Sequence, residues 1–122
     1  MNDFTTTVTD TMEKFDSGSV RGDRTGKGRY DLLPPGAIRR LAGLYERGSK
    51  AYGDRNWEKG QPFSRYFDSM LRHAFQAMSG KSDEDHLAAV VWNAMAIMEM
   101  QETGREAELN DMPWFVPIAK ES

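Results

Sequence analysis

Cysteine is absent from the 122 residues, which removes disulfides, thiolate nucleophiles and cysteine-ligated zinc together and fits a reducing, cytoplasmic setting. A basic excess is missing too. Sixteen Lys and Arg against 19 Asp and Glu leave a net charge of −3, which argues against nucleic acid as the main partner. No apolar run approaches the ~20 residues that cross a bilayer, and Met1 to Asp16 carries threonines and acids where a secretory leader needs a basic start and an apolar core. No membrane partner is expected. Histidine is scarce: His73 and His86 are the two in the chain, so any imidazole chemistry falls to them.

The length suits one domain, small enough for an oligomer to help it bury apolar surface. Residues 1–20 are polar and Thr-rich and read as a mobile N-terminal arm with at most one short helical turn. Residues 21–122 read as a single helical domain. It opens on a segment from Arg21 to Asp31 that interleaves glycines with Arg24, Lys27 and Arg29, where close backbone approach and cations suit a phosphate. A P-loop is excluded, since Arg21 and Gly28 stand where that motif needs glycine and Ser or Thr.

Pro34 and Pro35 mark a helix start, with apolar residues at helical spacing until Gly53 ends it. Ser64 is the expected N-cap of a second helix, with Phe67, Met70, Leu71, Ala74, Phe75 and Met78 as its apolar face and Gly80 as its stop. A third helix opens at Ser82 or Asp83. From Leu87 to Met100 only Asn93 and Glu99 are polar, so this helix is the central one, and two neighbours cannot cover it. The aromatic tail from Met112 to Pro117 is expected to dock on the body or on another subunit. The fold class expected is all-α: a small bundle of three to five helices without strands, with irregular terminal segments, completed by oligomerisation.

Polar groups concentrate in three places. Asp68, Arg72 and His73 sit one turn apart on the second helix; Asp85, His86 and Asn93 lie along the third; Lys50, Tyr52, Arg55, Asn56 and Trp57 flank the end of the first. Each has an ordinary explanation. Glu46 and Lys50 have the spacing of a surface ion pair, Asp68 and Arg72 of a structural one, and Asp85 of a helix N-terminal charge. Trp92 can be plain core or can flank a flat ligand. Asn93 is harder to dismiss, because an unpaired amide inside an apolar run costs ~1–3 kcal/mol, so something polar must face it.

The ordered succession of Gly28 to Pro34, Lys50 to Gly60, Ser64 to Tyr66, Arg72-His73 and Asp85 to Asn93 resembles the phage-encoded dATP/dGTP diphosphohydrolase N-terminal domain found in MazZ-type proteins. The resemblance covers about residues 27–100. It implies a small helical protein related in activity to the MazG-like pyrophosphohydrolases, which cut a nucleoside triphosphate to monophosphate and pyrophosphate with Mg²⁺ or Mn²⁺. The Glu-Glu-x-x-Glu helix of MazG proper is absent, Glu46 being followed by Lys50.

With that resemblance, the residues are expected to divide as follows. Glu46, Asp68 and Asp85 hold the metal; His73 or His86 positions the attacking water or takes its proton; Arg29, Lys50, Arg55 and Arg72 neutralise the phosphates. Tyr52, Asn56, Trp57, Trp92 and Asn93 contact a purine nucleoside. The runner-up is a non-catalytic protein that sequesters a nucleotide, including a cyclic one, in the same pocket.

Overall fold

The computed structural model describes residues 11–115. They fall into two compact units, one ending at Leu33 and the other beginning at Pro34.

The first unit corrects the expectation that the chain has no strands. β1 (Met12–Lys14) pairs antiparallel with β2 (Val20–Gly22), with Met12 opposite Gly22 and Lys14 opposite Val20. Gly18, at φ +91°, makes the reversal, and the Phe15 and Ser19 backbones close it at 3.0 Å. Three-residue strands exposed on nearly all sides carry too little alternation to be read from sequence.

In the second unit α1 (Pro35–Tyr52) starts on its proline and stops at Gly53, whose φ of +90° suits glycine, as expected. α2 spans Phe63–Met78 and α3 spans His86–Glu102, and a short α4 (Glu106–Leu109) follows. The helical class therefore stands. Both α2 and α3 end on the same device: Gly80 and Gly104 sit at positive φ while Lys81 and Arg105 donate back to Gln76 and Met100.

The helix starts differ from expectation. Ser64 is not the N-cap of α2, because Pro62 holds that position and Phe63 is already helical. The cap comes from far along the chain: Asp111 accepts the Ser64 N–H at 2.8 Å and its hydroxyl at 2.6 Å. α3 opens three residues later than Asp83. Asp85 is its N-cap, accepting the Ala88 N–H at 3.1 Å.

Phe63, Tyr66, Ala96, Ile97 and Met100 form the core between α2 and α3. Of the face expected on α2, Leu71, Phe75 and Met78 are exposed instead. On α3, Leu87, Val91 and Met98 are likewise exposed, opposite the buried Ala89, Asn93 and Ala96. The third side of the central helix is thus open in the single chain, as its all-round apolar sequence foretold. The tail docks on its own body: Phe115 meets Phe63 edge-on at 5.8 Å and Phe67 at 5.4 Å. Val116 and Pro117 lie outside the described residues, as do the first ten residues of the expected arm.

Candidate functional site

The two histidines meet. His73, half-buried on α2, meets the first turn of α3: its Nδ1 lies 2.8 Å from Nδ1 of His86, with ring centroids 5.1 Å apart. His86 is only 3% exposed, and its Nε2 lies 2.8 Å from Oδ1 of Asp83. That hydrogen bond holds the Asp83 carboxyl below the usual carboxylate range. Asp83 is reached because the chain turns from Gly80 to Asp85 before α3 begins, which brings residue i back over residue i+3. It escaped the sequence reading, where Asp83 and His86 were parts of one helix; the i, i+3 spacing was the available signal.

Beside this chain of groups is a cavity of about 610 Å³ lined by Arg40, Arg47, Lys81, Asp83, Asp85 and His86 among others. It is an open depression on which a small ligand could lie, not an enclosed pocket. Arg40 grips Asp85 through two hydrogen bonds, Nε to Oδ2 at 2.9 Å and Nη2 to Oδ1 at 2.6 Å. The guanidinium, followed by the Ala88 N–H, brings the Asp85 pKa down to about 2. Arg40 and Arg47 were not singled out in the sequence, although they share one stripe of α1.

The carboxylates expected to hold a metal do not gather. Glu46 is exposed on α1, Asp68 is paired with Arg72 at 2.9 Å on the surface of α2, and Asp85 is committed to Arg40 and to its capping role. Among the described residues one group, Asp83, Glu84 and His86, is close enough to share an ion. His86 has both ring nitrogens engaged there and offers no spare lone pair. A Mg²⁺ or Mn²⁺ ion on Glu46, Asp68 and Asp85 therefore does not fit this arrangement. Glu46 and Lys50 are both exposed on α1 and do not figure among the ion pairs of the described residues.

The residues expected around a nucleoside do converge in large part. Tyr52, Arg55, Asn56, Trp57 and Trp92, joined by Tyr45, line one crevice where α1 ends against α3. Tyr45 and Trp92 lie 6.3 Å apart, tilted by 41°, and burial, with a smaller push from Glu99, raises the Tyr45 pKa. Arg55 is the one non-glycine at positive φ among the described residues, at +56°, and a backbone held there marks a position fixed by its surroundings. Arg105 fixes them from below, its guanidinium donating to the carbonyls of Glu58 and Lys59 at 2.7 and 3.0 Å. At about 50 Å³ the crevice holds the edge of a ring, not an enclosed nucleotide.

Asn93, Lys50, Arg72 and Arg29 fall elsewhere. The Asn93 amide donates to the Ala89 carbonyl at 2.8 Å and the Ser69 hydroxyl at 3.3 Å, so the polar group facing it is Ser69. Lys50 is exposed outside the crevice, and Arg72 is held by Asp68. Arg29, in the first unit, forks onto Asp31 with both bonds at 2.8 Å and lines a concavity with Arg24, Thr25 and Gly28. That concavity is the form taken by the glycine-and-cation segment.

No helix among the described residues is long and apolar enough to cross a membrane. No curated protein and no solved structure matches the chain. A family model described as dATP/dGTP diphosphohydrolase, N-terminal, matches residues 17–110, a longer stretch than the motifs alone span. The chain belongs to the dATP/dGTP diphosphohydrolase N-terminal family.

Proposed function

We propose that this protein converts purine deoxynucleoside triphosphates, dATP or dGTP, to the monophosphate and pyrophosphate. The family supplies the reaction class. The observation that carries the reading is the cavity in whose wall a buried histidine stands together with Arg40, Arg47 and Lys81. Arg47 and Lys81 there neutralise phosphate charge, Arg40 being held by Asp85, and the histidine pair handles a proton. Mg²⁺ or Mn²⁺ is the proposed cofactor, because phosphate oxygens are hard ligands that such ions bind.

His86, in the cavity wall, is buried with both nitrogens bonded, so the proton acceptor is assigned to its partner His73, which is half-buried with Nε2 left over and adjoins the cavity through His86 rather than lining it. Water adds to the α-phosphorus, the bond to the α,β-bridging oxygen breaks, and its electron pair leaves with pyrophosphate. The proton shed by the water goes to Nε2 of His73. The aromatic crevice of Tyr52, Trp57 and Trp92 contacts the base on its open side.

A homodimer or tetramer completes the fold, covering Leu87, Val91 and Met98 of α3 and the exposed Leu71, Phe75 and Met78 of α2. The setting is the cytoplasm. A second reading, nucleotide binding without turnover, is favoured by the dispersal of Glu46, Asp68 and Asp85. Incubation with each deoxynucleoside triphosphate and either ion, with products resolved by chromatography, decides: monophosphate with pyrophosphate supports hydrolysis, orthophosphate means another bond is cut, and tight binding without turnover supports sequestration.

A further inference from the structure

We propose that Asp83 and His86 are positioning residues that lock His73 in the tautomer with its proton on Nδ1 and a bare lone pair on Nε2. The proposal rests on the reading of His73 as proton acceptor and names what prepares it. Two Nδ1 atoms 2.8 Å apart require a single hydrogen between them, since two lone pairs repel and two N–H groups collide. Which ring supplies it is decided at the far end of the chain.

Asp83 is a carboxylate and can only accept, so the 2.8 Å contact assigns a proton to Nε2 of His86. A neutral His86 then has only a lone pair on Nδ1. His73 must donate from Nδ1, which leaves its Nε2 without hydrogen. Because His86 is 3% exposed, water cannot stand in for either neighbour, and the order of donors is imposed through it. Imidazole in water favours the opposite tautomer, with the proton on Nε2, so the lock does work against a solution preference. When Nε2 of His73 takes a proton, its ring becomes cationic and faces the Asp83 charge across one intervening imidazole.

The test reads the tautomer directly. Untagged protein labelled with ¹⁵N in its two histidines is examined through long-range proton–nitrogen correlations in mildly alkaline solution, with His73→Gln to assign the signals. The wild type should show Nδ1–H with bare Nε2 for His73, and Nε2–H with bare Nδ1 for His86. Asp83→Ala, at a side chain 67% exposed and so not needed for packing, should return His73 toward Nε2–H and lower kcat at least tenfold with little change in KM; Asp83→Glu should recover part of both. A wild-type His73 protonated on Nε2, or an Asp83→Ala variant with the wild-type tautomer, overturns the proposal. A wild type with the expected tautomers that hydrolyses no nucleotide supports the lock and removes the hydrolase reading alone.

Discussion

Arg40 and Asp85 are joined fork to fork, and the same carboxylate oxygen that accepts Arg40 Nη2 at 2.6 Å also caps the Ala88 N–H at 3.1 Å. One side chain therefore ties α1 to α3 and starts α3. Its neighbours on either side in sequence, Glu84 and His86, are left to the cavity and the histidine pair.

This pair makes stability depend on acid. The Asp85 pKa falls from its ordinary 3.8 to about 2 in the folded protein, so the unfolded chain takes up the proton first as pH drops. The contribution is fully present above about pH 4 and is lost as pH falls through about 2. Asp85→Asn should cost about 1–2 kcal/mol in neutral solution, allowing for the half-exposed guanidinium. Urea unfolding of the two proteins across the acid range should show the difference vanish; a difference constant with pH means the cost is capping alone.

Asp111 should matter to a helix that begins 48 residues earlier. Asp111→Ala removes both bonds to Ser64 and is expected to lower the denaturant midpoint, as the loss of an N-cap acceptor does. Ser64→Ala, which keeps the backbone bond, should cost less. Equal losses in the two, read from denaturant midpoints, contradict the capping assignment.

Tyr52 and Trp92 share the crevice but not their burial. Tyr52 is 73% exposed, so Tyr52→Ala should weaken purine nucleotide binding by about 1–3 kcal/mol, the range for one base stacked on an aromatic, without lowering the melting temperature. Trp92 packs on Tyr45 and Tyr66, and Trp92→Ala should destabilise by about 3–5 kcal/mol. Calorimetric titration with dATP and dGTP separates the two effects; unchanged affinity in Tyr52→Ala removes the crevice from the nucleotide site.

The open face of α3 predicts association. Light scattering during size exclusion should give a multiple of 13.8 kDa, and Val91→Glu, which places a charge among Leu87 and Met98, should shift the protein toward monomer. A wild-type monomer at micromolar concentration refutes the interface.

Three helices, the proline start of α1, the glycine stops of α1 and α2, and a central apolar helix too greasy for two neighbours were legible in the sequence, because helical periodicity and the backbone limits of proline and glycine act over a few residues. So was the grouping of Tyr52, Arg55, Asn56 and Trp57, which one loop carries. Trp92 joined them only through packing. The strands of residues 12–22 were not legible, being too short to show a period, and neither was the cap on Ser64, which its own sequence neighbourhood mimics but Asp111 provides.

The same division explains the site. Sequence could nominate His73 and His86, since a buried imidazole needs partners whatever the fold. It could not choose between carboxylates. Asp83, Glu84 and Asp85 are chemically alike, and a shift of one residue around the start of α3 turns each toward a different neighbour. Asp68 meets Arg72 and Asp83 meets His86 at spacings of four and three residues that the sequence already carries. Only the crossing of α1, α2 and α3 decided that Asp85 meets Arg40 and that His86 meets His73, because hydrogen bonds reach ~3 Å and those partners are supplied by other helices.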